Sequence, residues 1–252
     1  AAVHFFVGGT QTNAAVIDAF LRSYEGVVAA DTGHIAVHEA GAIEADGHKV
    51  LTLAGTAGKL SAEALKRYLR DFYADENRAH TVQPGMVYIS QPTECGTLYS
   101  KKELSDIAAV CREYALALYV DGARLAYALA CPENDVTLAD LASLSDAFYI
   151  GGTKCGALFG EALVILNKNR LPHFVTTMKR CGALLAKGRL LGIQFETLFE
   201  DGLYFRIGDS AIRAADKIRS FLDAHGFRQY FISPTNQIFI VLTNEDYALL
   251  SE

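Results

Sequence analysis

The five cysteines, Cys95, Cys111, Cys131, Cys155 and Cys181, are far apart and include no C-x-x-C pair. An odd, scattered set excludes a regular disulfide frame or a zinc cluster as the organising feature. It suits reduced thiols in a cytosolic protein. Basic residues are not in excess either: the formal net charge is −6 at pH 7. Such a balance offers no positive surface for nucleic acid or for an anionic membrane. Asp121, Arg124 or a glycine interrupts the longest apolar stretches, so no segment reads as a bilayer span. Internal repeats, low-complexity stretches and tails of like charge are also missing. The opening "AAVHFFVGGT" has no initiator methionine and no basic region before its short apolar run. It reads as strand interior, not as a leader. "NEDYALLSE" reads as a helix beginning, and sequence is expected to be missing at both ends.

What is present is apolar material, 51% of 252 residues, enough for one large domain or for a large and a small one. Strand-like runs alternate with helical patterns. "VHFFV", "GVVAAD", "MVYIS", "LALYVD", "DAFYIG" and "EALVIL" read as strands. "TQTNAAVIDAFLRSY", "SAEALKRYLRDFYA" and "SKKELSDIAAVCREY" read as helices, with Ser61 and Ser100 as caps and Glu103 completing a capping box. Several strands are continuously apolar, which implies burial on both faces. Their alternation with helices predicts an α/β fold with a mostly parallel sheet. After Asn167 the pattern is helical to about His225, followed by "FRQYF", a turn at "SPTN" and the strand "QIFIVL". The predicted organisation is a large cofactor-binding domain with connecting helices over 1–202 and part of a smaller α+β domain over 203–252.

In an open parallel sheet, ligands sit beyond the carboxyl ends of the strands. Four groups fall at such places, the "GGTQTN" turn, Asp121, Arg124 and Lys154, and His34 is a further candidate. "VGGTQTN" after "FFV" opens a helix whose free N–H groups and dipole favour a phosphate; a tight turn capped by Thr10 or Thr12 is the alternative. Asp121 ends an apolar strand, where a carboxylate needs a partner: a cationic ring nitrogen, Arg124 three residues on, or the N–H groups of the next short helix that it would cap. His34, after "VVAAD", can stack on a flat ring or move a proton, although His38 and Glu39 also admit a solvated polar turn. His48, His80 and His225 read as surface positions. Lys154, in "GGTKCG", can form a Schiff base if its pKa is lowered, and Thr153 beside it can donate to an anion; a plain loop lysine is the alternative.

One cofactor requires all of these together. Pyridoxal 5'-phosphate needs a lysine for its aldehyde, an aspartate for its pyridine nitrogen, a phosphate cradle and a flat contact on the ring. An amino-acid substrate adds an arginine for its carboxylate.

Here the chain resembles a known family. "VGGTQTN", "TGHIAVHEAGA", "YISQPTECGTLYS", "LYVDGARLAYAL" and "GGTKCGALFGEALVIL" are similar to blocks of the low-specificity L-threonine aldolases and related β-eliminating lyases, from about Val3 to about Leu242. These are fold-type-I, aspartate aminotransferase-like pyridoxal phosphate enzymes. The resemblance implies that Gly9, Thr10 and Asn13 belong to the phosphate turn and that His34 stacks on the ring. It makes Asp121 the partner of the ring nitrogen, Arg124 the carboxylate ligand and Lys154 the aldehyde-binding lysine, with the glycines before it letting backbone pass close to the cofactor. It implies cleavage of L-threonine or L-allo-threonine to glycine and acetaldehyde, with His34 as candidate base. A β-elimination or transamination on the same scaffold is the alternative. A dimer or tetramer is also implied; the helical stretch from His173 to Glu200 is a candidate contact surface, with core packing as the alternative. Two departures stand out. "SQPTEC" carries Gln91, Thr93 and Glu94 where many relatives have Asn-Thr-His, and a further carboxylate-binding arginine near the family's C-terminus falls outside these residues.

Overall fold

The apolar runs become strands of one sheet in the computed structural model, which describes residues 1–166 and 170–250. The strands are β1 (Ala2–Phe6), β2 (Glu25–Ala30), β3 (Val50–Leu53), β4 (Gln83–Ser90), β5 (Ala117–Asp121), β6 (Ala147–Gly151) and β7 (Glu161–Ile165). Their order is β1-β7-β6-β5-β4-β2-β3. β3, β2, β4, β5 and β6 run parallel, and β7 is antiparallel to both β6 and β1. The mostly parallel α/β sheet expected from the sequence is therefore present. The expected helical region after Asn167 begins on residues 167–169 and the expected last helix ends on 251–252, outside the described residues.

Side chains alternate between two cores, which is why the strands read as unbroken apolar runs. In β5, Leu118 and Val120 enter one core while Ala117 and Tyr119 enter the other; in β4, Val87 and Ile89 oppose Met86 and Tyr88. Helices Ala62–Ala74 and Lys101–Glu113 cover the first face, and Gly9–Phe20 and Phe174–Arg180 the second. Leu65 and Leu69 are fully buried there, each stabilising the fold by about 1.5–3 kcal/mol. Ser61 caps its helix, and Ser100 with Glu103 forms the expected capping box.

Three features depart from the sequence reading. β3 was not expected; it is a short edge strand, only partly buried. His48, just before it, is buried, its Nδ1 3.1 Å from the Glu25 carbonyl, and is not a surface histidine. "QIFIVL" pairs over only two residues, β8 (Arg228–Gln229) with β9 (Ile240–Val241).

The antiparallel turn of β7 matters for the site. Because β7 reverses, its first residue Glu161 pairs with Gly151 at the end of β6 and with Phe6 at the end of β1. Ser90 pairs with Asp121 at the ends of β4 and β5. Ser90, Asp121, Gly151, Glu161 and the Gly8–Gly9 turn therefore share one edge of the sheet.

Candidate active site

Beyond that edge lies a cleft lined by Gly9, Thr10, His34, Asp121, Arg124, Thr153 and Lys154, every predicted site residue except Asn13. It also holds Glu39, Ser90, Glu94, Tyr149 and Glu161, which the sequence reading did not select.

The glycine turn supplies backbone. Gly8 is the N-cap of helix Gly9–Phe20 and makes no side-chain cap bond, so neither Thr10 nor Thr12 caps it. The Thr12 hydroxyl donates backwards to the Gly8 carbonyl at 2.9 Å. The first N–H groups of a twelve-residue helix therefore lie at a cleft, a disposition that suits an anion. A Cβ on Gly9 would stand 3.0 Å from the Tyr149 hydroxyl.

Asn13 lies elsewhere. It is fully buried one turn into the helix, on the face that also carries Ile17. Its Nδ2 donates to Glu39 Oε1 at 2.7 Å and to Asp121 Oδ2 at 3.0 Å, and its Oδ1 accepts from the Tyr119 hydroxyl at 2.8 Å. The side chain expected in the phosphate turn instead positions two carboxylates.

Asp121 is 3% exposed. Its Oδ2 also accepts from the Tyr88 hydroxyl at 2.6 Å, and its Oδ1 accepts from the Ala123 N–H at 2.9 Å. Burial holds the Tyr88 hydroxyl well above the usual phenol range, so it remains a neutral donor. Among the described residues no cation lies within ion-pair distance of Asp121, and the local pair with Arg124 does not form. A buried carboxylate with neutral donors only is suited to an incoming cationic group.

His34 begins the short helix His34–Val37. Its Nδ1 donates to buried Glu39 Oε1 at 2.8 Å, and that bond raises the imidazole above its usual pKa. Glu39 Oε2 is buried with no hydrogen-bond partner. The ring is thus fixed and biased towards the charged form.

Lys154 follows β6. The Gly152 and Thr153 N–H groups both reach the Gly160 carbonyl at 3.0 Å, and the Lys154 carbonyl accepts from Tyr127 at 2.5 Å. The residue is exposed at the cleft mouth. Even so, loss of water around the amine, followed by the charge of Arg124, holds its pKa below the ordinary lysine range. That is what an amine needs to act as a nucleophile. The glycines before it are tightly packed. A Cβ on Gly151 would stand 2.4 Å from the Ala123 carbonyl oxygen, and one on Gly152 2.5 Å from that of Gly160. They bring protein backbone against protein backbone.

Glu161 is 3% exposed and accepts from the Gly152 N–H at 2.9 Å. Burial pushes its pKa up to about 7, against the pull of Thr153 and Gly152. The native state then binds the proton more tightly than the unfolded chain, so stability falls as pH rises from about 4.5 to about 7. In urea titrations of cofactor-free protein, Glu161→Gln should remove this slope. Its stability relative to wild type should be about 3 kcal/mol more favourable at pH 8 than at pH 4. Parallel profiles would refute the assignment.

The family model described as beta-eliminating lyase matches residues 1–247. The chain belongs to the beta-eliminating lyase family. This lyase-family chain is 32% identical over 246 residues to the low specificity L-threonine aldolase of Pseudomonas sp. (strain NCIMB 10558), covering 96% of this chain and 69% of that one. It is 49% identical to the solved threonine aldolase of Leishmania major, with a TM-score of 0.94, covering 99% of this chain and 72% of the other. Aspartate aminotransferase from Thermus thermophilus superposes with a TM-score of 0.68 at 15% identity, covering 90% of this chain and 58% of the other. That likeness concerns the fold alone, which is the fold-type-I, aspartate aminotransferase-like one.

Proposed function

We propose that this chain cleaves L-threonine and L-allo-threonine to glycine and acetaldehyde with pyridoxal 5'-phosphate as cofactor. The observation that carries the reading is the junction, in one cleft, of the lowered-pKa Lys154 with Arg124 and the cation-free Asp121. The Leishmania major and Pseudomonas relatives, both threonine aldolases, support the reaction class.

When bound, the cofactor supplies an electron sink for the bond broken at Cα. The chain's own residues do the rest. N–H groups of the Gly8–Thr10 turn hold the phosphate, with Thr153 beside them. Asp121, steadied by Tyr88, Asn13 and the Ala123 N–H, would keep the ring nitrogen protonated. The His34 ring, held by Glu39, would supply the flat contact on the ring. Lys154 binds the aldehyde, and Arg124, which has no ion pair of its own among the described residues, takes the substrate carboxylate.

Three coarser readings accompany this one. Residues 1–202 form the cofactor domain and 203–252 part of a smaller one. The assembly is a homo-oligomer, supported by the exposed Val175, Leu190 and Ile193 on two helices consecutive in the chain. The compartment is the cytoplasm, supported by five free cysteines. No helix among the described residues is long and apolar enough to cross a membrane.

The test follows acetaldehyde release from both threonine isomers by protein supplied with pyridoxal phosphate. Glycine and acetaldehyde in equal amounts are expected. A protein that binds the cofactor yet releases neither would refute the reaction.

A further inference from the structure

Cleaving the Cα–Cβ bond of a β-hydroxy amino acid requires that the β-hydroxyl lose its proton. His34, the base expected from the sequence, has its Nδ1 committed to Glu39, and in the reading above its ring is assigned to the flat face of the cofactor. The cleft carboxylates can be compared one by one. Asp121 takes three donors, and the Glu39 side chain is sealed beneath His34. Glu161 is tied to Gly152 at the root of the Lys154 loop.

Glu94 is different. Both hydrogen bonds it takes from other residues fall on Oε1, from the Ser90 hydroxyl at 2.6 Å and the His34 N–H at 3.1 Å. Among the described residues no hydrogen bond from another residue falls on Oε2, and the side chain lines the cleft. The loop that carries it is locked. Gln91 donates to the Tyr99 carbonyl at 3.1 Å and accepts from the Tyr99 N–H at 2.9 Å, while the Gln91 N–H reaches the Asp121 carbonyl at 2.8 Å. Thr93 and Thr97 join their hydroxyls at 2.7 Å, and Gln237 donates to the Glu94 carbonyl at 2.9 Å. Gln91 and Thr93 therefore shape the loop, and Glu94 alone of the three reaches the cleft.

We infer that Glu94 is a catalytic residue that takes the β-hydroxyl proton of the substrate at Oε2. The inference rests on the aldolase reading above. In the step, the O–H proton moves to Glu94 and the O–H electron pair becomes the second bond of the acetaldehyde carbonyl. The Cα–Cβ pair stays with Cα, for which the bound cofactor would supply the electron sink. Glu94 then gives its proton to solvent and Cα takes one, completing glycine.

Burial raises the Glu94 carboxyl above the ordinary range, which strengthens it as a base near neutral pH. The charged and titratable groups around it are His34, Asp121, Tyr88, Lys154, and, from its own loop, Cys95 and Tyr99.

The test compares holoenzymes of wild type and Glu94→Gln. The variant should cleave threonine about 10²–10⁴-fold more slowly. Its cofactor absorbance, its spectrally titrated glycine affinity and its exchange of the glycine Cα proton in D₂O should stay within about threefold of wild type, because none of them involves a β-hydroxyl. Glu94→Asp should recover part of the cleavage. Cleavage by Glu94→Gln within about threefold of a competent wild type would overturn the Glu94 role alone. So would glycine affinity or exchange falling in step with cleavage, which would mark a merely structural residue. Wild-type holoenzyme that exchanges glycine but cannot cleave threonine would overturn the aldolase reading, and this inference with it.

Discussion

Lys154→Ala is expected to abolish turnover, by at least about 10³-fold, which corresponds to about 4 kcal/mol of barrier. The amine is held where it acts by backbone on both sides. Gly151 N–H reaches the Gly122 carbonyl at 3.0 Å, the Gly152 and Thr153 N–H groups close on Gly160, and Tyr127 holds the Lys154 carbonyl. None of these contacts uses the side chain, so removing it should leave the fold intact. The direct measurement is covalent capture: borohydride reduction of the wild-type holoenzyme should leave the cofactor on the peptide carrying Lys154, seen by mass spectrometry. Lys154→Ala should carry none and lose the corresponding absorbance. Lys154→Arg is the informative control. It restores the positive charge beside Arg124 but does not deprotonate in a protein, so it should fail equally. If it restored activity, the lysine would serve only as a charge.

Much of this site is legible in the sequence because it depends on local features. A continuously apolar strand implies a buried parallel strand, and a polar residue where it stops implies the carboxyl edge. Asp121 and Lys154 are found that way. Asn13 shows where local reasoning stops. Its residue type suits a phosphate turn, yet it stands four residues before Ile17 and three before Val16 on the buried face, so helical phase turns it to Glu39 and Asp121. That phase could have been read from the pattern. Glu39, Glu94 and Glu161 could not be selected in the same way. A glutamate in a polar loop or at a strand start looks solvated, and its burial depends on strand order. Glu161 reaches the cleft only because β7 reverses direction beside β6, and His48 is buried against Glu25 and Asp18, more than twenty residues away in the chain.

Asp121→Asn should lower kcat/KM for threonine about 10²–10³-fold, the usual effect of removing one preorganised electrostatic group, while the protein still binds cofactor. The change is small in volume but reverses one contact. Oδ1 can still accept from the Ala123 N–H, whereas the new amide nitrogen would face two donors, Tyr88 at 2.6 Å and Asn13 at 3.0 Å. Tyr88 can turn its proton towards Ser90, 3.2 Å away. Asn13 cannot turn without giving up Tyr119, whose hydroxyl it accepts. A stability loss of about 1–3 kcal/mol should accompany the kinetic defect. Asp121→Ala strands all three donors and should cost more in stability, yet its rate should be no better than that of the Asn variant, since both lack the charge. A rate that followed donor satisfaction instead, with Asn near wild type and Ala inactive, would make Asp121 a structural hub. Equal loss of rate in both variants, with unequal loss of stability, would separate the charge that serves the ring nitrogen from the hydrogen bonds that hold that charge in place.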